Sequence, residues 1–175
     1  MQYKVKKEPR AAYIISATTG LLAILFMYAG SAKIINLQIS QIIMLFCAAI
    51  CAYVLIRYAL TDYVYVLSDD APYKFEIVKI SGQVPQTMVV IDMSAGDYLL
   101  PLEKGEKIPE KIGKISKKEN FCSNLFPKQR YLYVFEFDGK KVACKLEMDE
   151  GVAVFIQNRL ENLRNTDQNG GNYEL

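Results

Sequence analysis

Histidine is absent from the 175 residues of this chain, and its absence removes several kinds of catalytic and metal-binding chemistry. Serine–histidine and cysteine–histidine nucleophile pairs, histidine general bases and histidine zinc ligands are all excluded. A serine–lysine dyad is the one familiar nucleophile pairing that remains, and no serine stands out by its context. We therefore predict that the protein is not an enzyme.

Cysteine is also scarce, with Cys47 and Cys51 inside an apolar run, Cys122 and Cys144 isolated, and no C-x-x-C motif. This spacing supports neither a disulfide framework nor a zinc site, and a reducing compartment is the simpler interpretation. We expect no metal and no cofactor. Beyond Arg57 acidic residues slightly outnumber basic ones, so the polar part is not predicted to bind nucleic acid.

Long hydrophobic runs are what the sequence does have. Residues 11–32 and 34–56 contain no charged side chain, and Lys33 separates them. A helix rises 1.5 Å per residue, so about 20 apolar residues cross a hydrocarbon core of about 30 Å. The sequence predicts a two-helix transmembrane hairpin over residues 11–58, and hence a multi-pass protein of the cell membrane.

Positive charge near the two runs predicts their orientation. Lys4, Lys6, Lys7 and Arg10 precede the first run, whereas only Lys33 lies in the connection. The positive-inside rule then places residues 1–10, as a basic N-terminal segment, and the C-terminus in the cytoplasm. Neither run contains an ionisable side chain, which transporters and proton pumps need, so an anchor is the favoured role. Association of several copies stays open.

Two other interpretations of the runs are weaker. The first run could be a cleaved signal peptide, but its apolar stretch is long and a second run follows at once. Both runs could be core helices of a soluble protein, but their complete lack of charge argues against that. Small residues at four-residue spacing also predict that the two helices pack together. These helix-packing residues are Ala12, Ser16 and Gly20 in the first helix and Cys47, Ala48, Cys51 and Ala52 in the second.

Residues 61–164 are predicted to form one cytoplasmic α+β domain. Alternating apolar residues indicate strands at 61–68, 73–80, 87–93 and 97–102. Two further strands flank Asp138-Gly139, a pair typical of a type I′ hairpin turn. An amphipathic helix over 149–164 closes the domain, with Val152, Phe155, Ile156, Leu160 and Leu163 on its apolar stripe. Residues 165–175 are polar and glycine-rich, and are predicted to be a disordered tail.

This order of elements resembles bacterial membrane-anchored PH-like domain proteins. The resemblance is carried by the N-terminal hairpin, the segment Tyr65-Val66-Leu67-Ser68-Asp69, the strand TMVVIDM, the Asp138-Gly139 hairpin and the closing helix. It implies a bent antiparallel sheet or barrel capped by one C-terminal helix. The sequence departs from the plainest form of this pattern in a long insert at residues 103–130.

The insert is the strongest candidate for a functional feature. Residues 104–130 contain eight basic and three acidic side chains. A lysine near an anionic leaflet contributes about 1 kcal/mol to membrane attraction. We hypothesise that the insert binds anionic lipid, although an ordinary solvated loop explains the same composition. The candidate residues are Lys104, Lys107, Lys111, Lys114, Lys117 and Lys118.

Other polar and aromatic clusters have structural explanations. Asp69-Asp70 and Asp149-Glu150 are adjacent carboxylates, but turn and helix-cap positions explain them better than metal binding. The row Tyr131, Tyr133, Phe135 and Phe137 is expected to be core. Two functions therefore stay open. The chain is either a non-catalytic module that binds a protein partner or anionic membrane lipids, or a structural subunit that acts through its transmembrane hairpin.

Overall fold

The computed structural model describes residues 1–103 and 112–170, without the side chains of residues 95–97 and 166–170. The chain divides into two compact units. The hairpin unit consists of Lys7–Asp62 and Ser123–Phe126. The sheet unit consists of Met1–Lys6, Tyr63–Cys122 and Pro127–Leu175. The hairpin is thus inserted, along the chain, between two parts of the sheet unit.

The hairpin unit contains helices α1 (Arg10–Ser31) and α2 (Leu37–Val54), and α2 continues into a π-helical turn at Leu55–Ala59. Lys33 has a φ of 58° in the connection, and the side chain of Asn36 accepts a hydrogen bond from the Gln38 amide at the start of α2. Both helices are long and apolar enough to cross a membrane. Only 11% of the most apolar window of each is buried, so the described chain does not enclose them as a core.

The sheet unit contains two four-stranded sheets and a C-terminal helix, α3 (Glu150–Gly170). The strands of the first sheet follow chain order, whereas those of the second do not. The first sheet has the order β1 (Gln2–Lys4), β2 (Thr61–Leu67), β3 (Lys74–Ser81) and β4 (Val84–Asp92). The second has the order β5 (Gly96–Pro101), β7 (Tyr131–Phe137), β8 (Lys140–Leu146) and β6 (Lys117–Asn120).

Strand β1 lies where the sequence predicted only a basic N-terminal segment. It pairs antiparallel with β2, and Tyr3 lies opposite Tyr65. Their rings stack with centroids 6.2 Å apart, and the Tyr3 hydroxyl accepts a hydrogen bond from the Asp149 amide at 3.1 Å. The three residues of β1 are too few to show an alternating pattern, so the sequence did not predict this strand. Its pairing partner, β2, lies beyond the hairpin in the chain.

The core lies between the two sheets and α3. Tyr65 and Phe75 of the first sheet pack with Tyr133 of the second. Helix α3 adds Val152, Ile156 and Leu160 from its predicted stripe. The aromatic row of β7 is buried from Tyr131 to Phe135, but Phe137 at the strand end is exposed. Phe155 of α3 is also exposed, because it lies one residue off the face that Ile156 presents to the sheets.

A smaller cluster covers the outer face of the second sheet. Ile112, which follows directly after the residues outside the described range, is 1% exposed and packs with Leu132, Val134 and Ala143. Ile112 and β6 of the insert are therefore held against the second sheet, where β6 pairs in parallel with β8. No strand was predicted in the insert, because β6 consists of two lysines, a glutamate and an asparagine and shows no apolar alternation.

The predicted α+β layout, with two long apolar helices before two sheets and a C-terminal helix, is confirmed. Asp138 and Gly139 have φ values of 52° and 66°, as a type I′ turn between β7 and β8 requires. The strands form two sheets with no closed barrel across the described ranges. Helix α3 continues past Arg164 to Gly170, into the segment that was predicted to be a disordered tail.

Candidate functional site

Three of the predicted helix-packing residues meet in the hairpin unit. Ser16 is buried on α1, and the Cys51 thiol on α2 donates a hydrogen bond to the Ser16 carbonyl oxygen at 3.1 Å. A methyl group on Gly20 would lie 3.7 Å from the Cys51 sulfur. Ala12 is also buried and Cys47 is half-buried. Small side chains on these faces let α1 and α2 approach closely.

Ala48 and Ala52 do not share this contact. Both are exposed, because each is turned about 100° around α2 from the neighbouring cysteine. A second close contact lies nearer the connection, where sequence reasoning did not place one. A methyl group on Gly30 would lie 2.7 Å from the Ser40 hydroxyl and 2.8 Å from its Cβ. The Ser40 hydroxyl donates to the Phe26 carbonyl oxygen.

Polar contacts tie together the open end of the hairpin. The Lys7 ammonium lies 2.6 Å from an Asp62 carboxylate oxygen and donates to the Thr61 carbonyl oxygen at 3.0 Å. The Thr61 hydroxyl in turn donates to the Ile56 carbonyl oxygen at 2.8 Å. Lys7 therefore links the entry to α1 with the exit from α2, a contact for which the sequence offered no spacing signal.

The Ser123–Phe126 loop belongs to this same unit. The Glu8 amide donates to the Asn124 side-chain oxygen at 2.6 Å, one turn or less from the start of α1 at Arg10. Ser123 and Asn124 are buried, whereas Phe126 is 70% exposed. The loop thus presents one large apolar side chain to its surroundings beside the polar end of the hairpin.

The candidate lipid-binding lysines fall partly within the described chain. Lys104, Lys107 and Lys111 lie outside the described residues. Lys114, Lys117 and Lys118 are exposed. Lys117 pairs with Glu119 at 2.5 Å, and this hydrogen bond and charge raise the pKa of the Lys117 ammonium.

Strand pairing adds lysines that sequence reasoning did not include. Because β6 pairs in parallel with β8, the insert lysines lie beside three lysines of a strand that has no acidic residue. These lysines lie on both faces of the sheet, since Lys117 is opposite Val142 of the main core and Lys118 is opposite Ala143 of the smaller cluster. We call them together the basic edge. It consists of Lys114, Lys117, Lys118, Lys140, Lys141 and Lys145. The run KKVACK was visible in the sequence, but its neighbour across the sheet was not.

In comparisons with family models, curated proteins and solved structures, nothing matches this chain. The resemblance to membrane-anchored PH-like proteins consequently depends on the order of elements alone, and it remains an expectation.

Strand β4 forms the open edge of the first sheet. It pairs with β3 on one side and has no second neighbour in residues 1–103 and 112–170. Val84, Met88 and Val90 are exposed along it, and its only charged residue is Asp92. An edge of this kind can accept another extended segment through main-chain hydrogen bonds.

Chemically reactive groups are shielded or dispersed in the part of the chain that is described. No group of three or more cysteine, aspartate or glutamate side chains there could hold a metal ion. Burial raises the pKa of the Cys144 thiol to about 12, which suppresses the nucleophilic thiolate.

An open groove of about 630 Å³ runs past Glu103, Lys128, Arg130, Tyr131 and Glu150, with charges of both signs on its walls.

Proposed function

We propose that this protein is a non-catalytic PH-like module, anchored by a transmembrane hairpin, that binds the anionic lipid surface of the inner leaflet. The observation that carries the proposal is the insertion of the hairpin between β1 and β2. These strands pair with each other, so both ends of the hairpin return to one small sheet. A hairpin whose two ends meet on one side suits an anchor that holds a domain against one leaflet.

The PH-like assignment rests on architecture. Two four-stranded sheets share one core, and a single C-terminal helix packs on that core. The resemblance implies a bent antiparallel sheet or barrel capped by one helix. The two sheets form no closed barrel in the described residues and β6 is parallel, so the shared core and the single C-terminal helix are what support the assignment. The cytoplasmic orientation rests on Lys4, Lys6, Lys7 and Arg10 before α1, against Lys33 alone in the connection.

The lipid-binding part of the proposal is supported by the basic edge. Its six lysines have two acidic neighbours within the sheet, Glu119, which pairs with Lys117, and Glu136, which lies opposite Lys141. Each lysine close to an anionic membrane contributes about 1 kcal/mol, and the attraction fades within a Debye length of about 10 Å. A domain tethered to the membrane can use such weak attraction to fix its orientation.

The test needs a soluble form that keeps β1. Lys4 lies opposite Val64, so replacing residues 7–62 by a short glycine-containing linker converts β1 and β2 into an ordinary hairpin. We expect this form to sediment with phosphatidylcholine vesicles only when they also contain phosphatidylglycerol. Charge reversal of Lys114 and Lys118 to glutamate should weaken sedimentation by about tenfold or more.

The matched control reverses Lys74 and Lys79, two lysines of β3 outside the basic edge. It changes the net charge by the same amount and should leave most of the binding. Equal loss in both double variants would show that net charge, and not the basic edge, drives binding. No loss in either would remove the lipid proposal and leave the lysines as protection of an edge strand against aggregation.

A protein partner is the second candidate function, and the open edge of β4 favours it. A partner strand paired with β4 would cover Met88 and Val90 while adding main-chain hydrogen bonds. A photo-crosslinking residue at Met88 in the full chain should then give discrete adducts in cells, and Val90→Lys should remove them. Adducts that persist unchanged with lysine at this position would contradict strand pairing at this edge.

A further inference from the structure

The exposed Phe126 side chain lies in the same compact unit as the membrane hairpin, although it belongs to a loop between β6 and β7. An aromatic side chain that is 70% exposed forgoes most of the hydrophobic stabilisation that burial would give it. The rest of the loop is not exposed in this way, since Ser123 and Asn124 are buried. The loop is therefore fixed at its start and presents its apolar end outward.

The contacts of the loop place it at a definite level along the hairpin. The Asn124 side-chain oxygen accepts a hydrogen bond from the Glu8 amide at 2.6 Å. Glu8 lies two residues before α1 begins at Arg10. Phe126 follows Asn124 by two residues, and two residues of extended chain span about 7 Å at most. The polar layer between the hydrocarbon core and water is also several ångströms deep on each side, about 5–8 Å. Phe126 is consequently within reach of the boundary between headgroups and acyl chains.

We propose that the Ser123–Phe126 loop is a membrane-inserting loop, with Phe126 seated at the headgroup–acyl boundary of the leaflet that the hairpin enters. The occupant of this surface is lipid. The loop is hydrogen-bonded to Glu8, two residues before the helix that the proposed function places in the bilayer, and a bare phenylalanine gains most where apolar contact needs no hydrogen-bonding partner. This inference rests on the proposed function, because it needs α1 and α2 to cross the membrane.

The loop would give the protein a third point of attachment beside the two helices. Asn124 acts here as a positioning residue, since its side chain holds the loop to the backbone of Glu8. An anchor made of helix ends alone leaves the following domain free to swivel. A third apolar contact would restrict that freedom and keep one face of the protein toward the leaflet.

The experiment uses the complete absence of tryptophan from the chain. Phe126→Trp in the full chain creates a single tryptophan, which is excited at wavelengths where the twelve tyrosines of the chain do not absorb. Phe46→Trp in α2 provides a matched variant because Phe46 is 69% exposed. Each variant is reconstituted into phosphatidylcholine vesicles whose acyl chains carry bromine either near the carboxyl end or near the methyl end. Bromine quenches tryptophan on contact, so each vesicle reports one depth. N-acetyltryptophanamide serves as the water-exposed reference.

We expect the tryptophan at position 126 to emit at shorter wavelength than the reference and to lose most of its emission to bromine near the carboxyl end. The tryptophan at position 46 should instead be quenched more strongly by bromine near the methyl end. Adding Asn124→Ala to the Phe126→Trp variant should reduce the quenching, because the loop is then released from Glu8.

The other outcomes separate the two proposals. Quenching at position 46 together with water-like emission at position 126 would overturn the membrane-inserting loop and leave the hairpin anchor intact. Absence of quenching at both positions would overturn the anchor itself. A blue-shifted tryptophan at position 126 that no bromine quenches would show that the loop packs against protein, which also overturns the lipid contact.

Discussion

Tyr3 and Tyr65 stack across the β1–β2 pair, with ring centroids 6.2 Å apart, although the whole hairpin separates them in the chain. Burial raises the pKa of Tyr3 to about 12, and Tyr65 is fully buried. The first residues of the chain are therefore part of the folded sheet unit. A soluble form of the sheet unit must consequently keep β1.

Tyr3→Ala should destabilise the sheet unit by about 1–3 kcal/mol, because it removes a half-buried ring from the stack. Tyr3→Phe should cost less, about 1 kcal/mol, since it removes only the hydrogen bond from the Asp149 amide. Urea unfolding of the linker form measures both. If Tyr3→Ala left the midpoint unchanged, β1 would not contribute to the stability of the fold.

Gly30→Ala should loosen the helix hairpin, whereas Gly20→Ala should not. The new methyl group at position 30 would lie 2.8 Å from the Ser40 Cβ, but the one at position 20 would lie 3.7 Å from the Cys51 sulfur. Forced separation of packed side chains costs about 1–3 kcal/mol.

The two glycine variants can be compared by titrating the detergent-solubilised full chain with SDS. The readout is energy transfer between one fluorophore at the start of α1 and another at the end of α2. Equal midpoints for both variants would mean that α1 and α2 do not approach at Gly30 as closely as described.

Lys7→Glu should weaken the open end of the hairpin, because it places two carboxylates together where the Lys7 ammonium now lies 2.6 Å from Asp62. Both side chains are mostly covered, at 18% and 23% exposure, so solvent screens their interaction less than at the surface. Combining Lys7→Glu with Asp62→Lys should restore much of the SDS midpoint. A double variant no better than the single one would show that charge pairing is not what Lys7 contributes.

Stability of the sheet unit should fall in alkaline solution. The pKa of Cys144 is raised from 9.0 to about 12 by burial, so above pH 9.0 the unfolded thiol releases its proton while the folded one keeps it. The unfolded state then binds fewer protons, and the free energy of unfolding decreases as pH rises from 9.0 toward 12. Tyr3 has the same sign, from 10.0 to about 12. Cys144→Ala should flatten this decline in urea midpoints, and an unchanged slope would contradict the assignment to Cys144.

The elements that the sequence predicted are those with strong local patterns. Uncharged runs indicated α1 and α2 within a few residues, and Asp138-Gly139 indicated the β7–β8 hairpin. The strand around Val89 was predicted over 87–93, whereas β4 begins at Val84 and includes Pro85, a residue unusual within a strand. Local sequence patterns were enough to predict an element wherever its packing or pairing partner is adjacent to it in the chain.

The elements that the sequence missed depend on distant partners. Strand β1 exists because β2 offers its edge, and β6 exists because β8 does. The same limit applies to the candidate site. Lys114, Lys117 and Lys118 stood out by composition, but Lys140, Lys141 and Lys145 join them only through parallel pairing. Asn124 and Phe126 gave no signal at all, since their role depends on contact with the start of α1.

The orientation of the hairpin is the central claim, and cysteine labelling in intact cells tests it most directly. Lys33 in the helix connection and Asp70 after β2 are both exposed, and the four native cysteines are helical or buried. With a membrane-impermeant maleimide, we expect Lys33→Cys to be labelled from outside and Asp70→Cys to be labelled only after lysis. Labelling of Asp70→Cys in intact cells, or of neither variant before lysis and both after it, would contradict a hairpin that crosses the membrane with both ends inside.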